Sequence, residues 1–186
     1  MGKQFSAMIP AHIEFIAQQQ MFFVATAAAT GRVNTSPKGM DSFRVLNQHQ
    51  VLWLNFTGSG NETAAHVSQD PRMTIMFCAF EGKPVILRLY GKAQAIHRAD
   101  QGWKEHIGLF PNLDGARQLY LLDIDMVQSS CGMAVPFFDY VAPREELSKW
   151  ALKQGDDGIQ KYWAKKNQHS LDGVETNILA RSKIAD

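Results

Sequence analysis

The feature that most limits what this chain can become is a series of short runs rich in β-branched and aromatic residues, set between close turns. Residues 21–26, 32–36, 51–56, 73–80, 85–96 and 119–127 all have strand composition. Several breaks between them, such as Thr30-Gly31, residues 47–50 and residues 81–84, are only a few residues long. A parallel neighbour needs a crossover of roughly a dozen residues or more, so short breaks permit only antiparallel pairing. The pattern predicts a mainly β protein whose six strands form an antiparallel sheet or barrel.

Helices interrupt this pattern sparingly. Ile13, Ile16 and Ala17 recur at helical spacing behind Pro10, which predicts a helix over 10–20. Two more are expected at 61–69, stopped by Asp70-Pro71, and at 99–107. Beyond Pro136 the texture turns helical, with Pro143-Arg144-Glu145-Glu146-Leu147 opening one helix and 158–165 forming another. No repeat or low-complexity linker divides the 186 residues. One domain over 1–186 is expected, with a barrel core at 8–130 and a helical extension at 136–186.

Charge and motif spacing exclude several function classes. Nineteen Lys and Arg against 18 Asp and Glu leave a net charge of +1, too little to neutralise a phosphate backbone or an anionic lipid surface, so neither nucleic acid nor membrane is an expected partner. The longest apolar runs, near 21–29 and 72–80, fall short of the roughly 20 residues of a spanning helix. The opening MGKQFSAMIPAHIEF has no apolar stretch with a cleavage site behind it, which makes a cytoplasmic location the expectation. Cys78 and Cys131 are far apart with no CxxC spacing, and each reads as a small buried hydrophobe. No histidine pair has HExxH spacing, and no PCxxC follows the deaminase-like His12-Ile13-Glu14, so no metal is expected. Thr57 stands two residues before Ser59, which rules out a nucleophile elbow. Trp103, Trp150, Trp163, Phe137 and Phe138 are expected to pack a core or an interface.

Two segments point to chemistry. Thr57-Gly58-Ser59-Gly60-Asn61-Glu62-Thr63 is a glycine-rich turn between a strand and a helix. Such a turn can cradle an anion, with Ser59, Asn61 and Thr63 as side-chain donors, or can simply cap the helix through Ser59 or Asn61. It lacks the third glycine of a dinucleotide fingerprint and the lysine of a P-loop. Arg32 to Gly39 reads as a strand whose pairing stops at Pro37, with Lys38 aimed outward. A lysine there suits a flat, electron-poor ring, but on the residues alone an edge strand ending in a solvated lysine is the favoured reading.

In order, an N-terminal helix, FVATAAATGRVNTSPKG, VLWLNFTGSGNETAAHVSQDPRMTIMF and VILRLYGKAQ resemble the pyridoxamine 5'-phosphate oxidase-like family of FMN-binding split barrels. SSCGMAVP and KKNQHSLDG resemble a subgroup of it. The resemblance implies a six-stranded antiparallel split barrel and a homodimer with FMN at the subunit interface. It implies Ser36, Pro37 and Lys38 beside the flavin ring and ribityl chain, and Asn61, Glu62 and Thr63 at the phosphate. Arg88 would lie on a later strand that reaches the cofactor, and Gln128 and Ser129 would approach from the partner subunit. The oxidase proper opens its phosphate-binding helix with Arg-Lys where this chain has Glu62-Thr63, and its basic C-terminal substrate site has no counterpart here. Vitamin B6 oxidation is therefore not expected. Glu62 should point away, leaving Thr63, Ser59, backbone amides and Arg88 to hold the phosphate. The function implied is an FMN-dependent oxidoreductase acting on a small organic substrate, nicotinamide or oxygen. Alternatives are a flavin carrier or sensor, or a barrel binding heme or a deazaflavin.

Overall fold

The computed structural model describes residues 2–111 and 114–182, and in them the strands form one antiparallel sheet. Along it the order is β3 (Asn34–Lys38), β2 (Phe22–Thr26), β6 (Arg72–Cys78), β7 (Val85–His97), β8 (Ala116–Cys131), β5 (Gln50–Phe56) and β4 (Phe43–Asn47), with β1 (Lys3–Phe5) paired to the end of β8. β3 and β4 are its two edges, the lips of a split barrel.

Alternation along the strands decides what lies inside. Phe22, Val24, Trp53, Ile75, Phe77, Leu87, Leu89, Tyr120 and Leu122 are buried together, with Trp53 stacked on Tyr120 at 4.8 Å. β5 is buried on both faces, because Leu52 and Leu54 join Ile96, Phe110 and Leu119 in a second core roofed by Trp103 and Ile107. That roof comes from α3 (Gln101–His106) and the 3₁₀ turn Ile107–Leu109. The continuous apolar run VLWLNF is what a strand covered on both sides requires. β7 and β8 pair along almost their whole length, and the register shifts once, between Tyr90 and Gly91. Glycine is required there, since a Cβ at residue 91 would collide with the Asp123 carbonyl.

Two expectations from sequence need correction here. Among the described residues there are eight strands rather than six: β1, of three residues, exists because β8 continues to Cys131 and offers it a ladder, and β4 exists as the hairpin partner of β5. Pairing also does not stop at Pro37. Phe23 faces Pro37 and Phe22 faces Lys38 across the β2–β3 ladder, and proline is tolerated because β3 is an edge strand.

α1 (Pro10–Ala17) opens on Pro10 as expected. The C-terminal helical region runs from Glu146 to Lys166 (α4), interrupted at Gly155, whose φ of 61° breaks the helix into two pieces, and ends in α5 (Ile178–Ser182). Trp163 is buried, donates its indole N–H to Thr57 Oγ1 at 2.9 Å and lies under the Arg98 guanidinium at 4.8 Å. Arg181 of α5 reaches the Ala95 carbonyl and Asp100. The extension thus packs against the barrel end that carries the glycine-rich turn. No helix among the described residues is long and apolar enough to cross a membrane.

Candidate functional site

A cleft of about 240 Å³ opens where the end of β3, the end of β5, the glycine-rich turn and the start of α2 (Glu62–Gln69) meet. Asn34, Ser36 and Lys38 enter it from one face of β3, and Asn55, Ser59, Asn61, Glu62 and Thr63 from the opposite wall. Six residues expected at a ligand from the sequence, Ser36, Lys38, Ser59, Asn61, Glu62 and Thr63, therefore come together. Pro37 does not, since it lies on the other, exposed face of β3.

The floor of the cleft is Arg117, which sequence reasoning missed. β5 and β8 slip register between Asn55 and Phe56: Asn55 faces Gln118, Phe56 faces Ala116, and Arg117 is the extra residue of a bulge. A bulge re-aims a side chain that simple alternation would send elsewhere. Arg117 is only 3% exposed. Its Nε donates to Gln118 Oε1 at 3.0 Å, and one Nη1 donates to the Gly60 carbonyl at 3.0 Å and the Gly58 carbonyl at 3.4 Å. Asn55 Nδ2 donates to the same Gln118 oxygen at 3.2 Å, which fixes the glutamine that orients the guanidinium. Among the described residues no carboxylate is paired with Arg117, and burial lowers its pKa to about 10. A buried guanidinium held by neutral oxygens alone leaves several kcal/mol of desolvation uncompensated, unless an anion completes the site.

Lys38 also departs from expectation. Instead of aiming outward, its ammonium sits over the Trp53 ring, 5.1 Å from the centroid. Burial and then the neighbouring Arg117 charge lower its pKa to about 8. Two cations thus share one small space.

The turn itself is not a cap. Asn61 precedes α2 but accepts no bond from the helix amides; its Nδ2 donates to the Asn167 carbonyl at 3.2 Å. The first amides of α2 are left without a side-chain acceptor, a ready place for an anion. Thr63 Oγ1 accepts from Asn34 Nδ2 at 3.3 Å, so its own proton is available to a ligand oxygen. Glu62 is turned toward the C-terminal segment, where both carboxylate oxygens lie 3.0 Å from the Leu171 N–H.

Arg88, Gln128 and Ser129 are not in this cleft. Arg88 and Gln128 face each other on the outer side of β7 and β8, where Arg88 donates to Ser130 Oγ at 3.2 Å and Tyr90 to Gln128 Oε1 at 3.4 Å. Ser129 faces Leu87 and so lies on the opposite side from Gln128. Arg88 does not line its own chain's cleft, because its strand parity points it out of the barrel. Arg88→Leu is therefore expected to leave the difference in affinity between a phosphorylated ligand and its dephosphorylated form unchanged, as read by thermal shift with each. Cys131 is exposed, against expectation, while Cys78 is buried as expected. Among the described residues no cluster of His, Cys, Asp or Glu is arranged to hold a metal.

The family described as pyridoxamine 5'-phosphate oxidase matches residues 8–131. A curated relative, the pyridoxamine 5'-phosphate oxidase family protein ustO of Aspergillus flavus, is 34% identical over 182 residues, covering 87% of this chain and 72% of its own. In fold, the chain is similar to a candidate pyridoxamine 5'-phosphate oxidase from Lactobacillus delbrueckii, with a TM-score of 0.53 and 18% identity over 66% of this chain and 94% of that one. It is also similar to a pyridoxamine 5'-phosphate oxidase-related, FMN-binding protein from Nostoc punctiforme, with a TM-score of 0.50 and 17% identity over 66% of this chain and 84% of that one.

Proposed function

The chain belongs to the pyridoxamine 5'-phosphate oxidase family, and from that premise we propose that it is a flavoprotein that holds the phosphate of FMN in the Arg117 cleft. The observation that carries this reading is a guanidinium, 3% exposed, with no carboxylate among the described residues to neutralise it. A phosphate dianion supplies the missing charge, and Arg117, the Thr63 hydroxyl and the first amides of α2 supply donors from three directions. Ser36 and Lys38, next along β3, follow from the phosphate toward the ring end of the ligand.

FMN, when bound, supplies a ring that accepts and returns a hydride or single electrons. The chain's part is orientation and electrostatics. Lys38 is held over Trp53 on β3, where its charge favours an anionic ring edge. The activity proposed is redox transfer between flavin and a small organic substrate, nicotinamide or oxygen.

The cleft is smaller than the roughly 300–1,000 Å³ typical of sites that enclose a cofactor-sized ligand. It suits one end of FMN, with the ring covered by a second copy of the chain. The outer row of Arg88, Tyr90, Gln128 and Ser130 is half-buried and polar, and beside it residues 132–145 carry the exposed Met133, Phe137, Phe138, Tyr140 and Val141. An apolar arm of that kind is what a partner surface covers. Heme finds no support in the cleft, whose described lining includes no His, Cys, Met or Tyr, the usual axial ligands.

The absorption spectrum of the purified protein tests the reading. A flavin spectrum is expected, with FMN released at about one per chain from a two-fold dimer in sedimentation. A colourless protein that leaves the fluorescence of added FMN unquenched would end it. Turnover of NAD(P)H or oxygen by the holoprotein would separate an enzyme from a carrier.

A further inference from the structure

The same cleft contains a carboxylate in the wrong place for an anion. Glu62 is the first residue of α2 and lines the cleft. A carboxylate in a first helical turn is attracted to the helix amides and to any nearby guanidinium, so Glu62 left to itself would occupy the donors an anionic ligand needs. It is kept from doing so by a contact 109 residues along the chain, in which the Leu171 N–H lies 3.0 Å from each of its oxygens.

Leu171 belongs to a turn that closes on itself and docks on both walls of the cleft. Ser170 N–H donates to the Val174 carbonyl and Gly173 N–H to the Ser170 carbonyl, so the turn has an internal shape. Toward the glycine-rich wall, the fully buried Asn167 donates to the Gly58 carbonyl at 2.9 Å and accepts from Asn61 Nδ2. Toward the β3 wall, Asp172 accepts from the Arg32 backbone N–H at 2.7 Å and pairs with its guanidinium. The two ends differ in strength. Asn167 is anchored by burial and by the Thr176 hydroxyl at 2.6 Å, whereas the Leu171 side chain is 74% exposed and Asp172 meets an exposed arginine. A few surface-exposed polar contacts open far more readily than a packed core.

We propose that the segment from Asn167 to Asp172 is a latch on the anion cleft: docked, it holds the Glu62 carboxylate away; released at Leu171 and Asp172, it frees Glu62 to compete with the anion for the α2 amides and Arg117. The proposal rests on reading the cleft as an anion site, but not on the anion being FMN. The tail thereby controls which charge the cleft presents, and the chain carries its own competitor for the ligand.

Leu171→Pro removes the one N–H that holds Glu62 while leaving every cleft side chain in place. In the full-length protein it is expected to weaken FMN roughly tenfold and riboflavin little, since only FMN carries the dianion. Adding Glu62→Gln to Leu171→Pro should restore FMN binding, because the freed side chain no longer carries a charge. Asp172→Ala, alone and with Glu62→Gln, repeats the comparison from the other tie, should Leu171→Pro not fold. A loss that is equal for riboflavin, or that Glu62→Gln does not restore, would overturn the latch. The same variants are to be titrated with inorganic phosphate by thermal shift. If phosphate protects the parent protein, loses that effect in Leu171→Pro and regains it with Glu62→Gln while no flavin binds, the latch stands and the flavin reading falls. If neither phosphate nor FMN protects the parent protein, both fall.

Discussion

Arg117→Met should reduce FMN affinity by at least thirtyfold while changing riboflavin affinity far less. Removing one member of a buried, hydrogen-bonded charge pair costs about 2–5 kcal/mol, and each 1.4 kcal/mol is about a factor of ten. The ligand-free protein responds in the opposite direction. There the guanidinium is buried against neutral oxygens only, so an apolar side chain of similar volume should leave stability unchanged or raised. The measurement is the melting temperature with and without saturating FMN: the FMN-induced rise should largely disappear, with no fall in the baseline. Arg117→Lys should be intermediate, because an ammonium keeps the charge and loses the fork that Gln118 orients. An undiminished FMN-induced rise in Arg117→Met would remove the phosphate from this cleft.

The second large effect is a pH dependence traceable to Lys38. Its pKa in the fold, about 8, lies below the ordinary 10.5, so between these values the unfolded chain binds more protons than the native one. Stability of the ligand-free protein therefore rises as pH goes from 8 to 10.5, the penalty for a buried ammonium being present in full below 8 and relieved above it. An anion in the cleft favours the protonated lysine and raises that pKa, so binding above pH 8 takes up a proton. FMN affinity should fall above pH 8 by up to about tenfold per pH unit, and Lys38→Met should abolish both slopes. The same variant should lower the flavin midpoint potential, by about one or two kcal/mol, because a cation near the ring favours the anionic reduced form. Flat profiles in the parent protein, or an unaltered potential in flavin-loaded Lys38→Met, would place the ammonium in solvent.

The two arginines on strands show how far alternation carries. Arg88 and Arg117 each interrupt a run of strand residues, and the argument that a buried guanidinium needs an anion applies to either. The structure separates the two: parity turns Arg88 out to Ser130, and a register slip with β5 turns Arg117 inward. Nothing in the residues around 117 announces the slip, since it belongs to the pairing of two strands some 60 positions apart. Lys38 departs from an outward aim for a related reason. Its neighbour Pro37 suggested the end of pairing, yet an edge strand loses nothing by a missing N–H on its free side.

Glu62 lines the cleft with its carboxylate taken up by the Leu171 N–H, a partner that could not be foreseen. Leu171 N–H is a backbone group, available in principle at almost any residue, and only the docking of the tail selects it.

By itself the sequence determined the class of fold, the antiparallel pairing and the places of α1 and α2. These rest on local composition, period-two alternation and turn length, which act over a few residues. What only the tertiary structure decided is which charge occupies the cleft: Arg117 in, Arg88 out, Lys38 over Trp53 and Glu62 held by the tail. Each depends on strand register or on a contact between distant segments, and a shift of one residue in register reverses the side to which a side chain points.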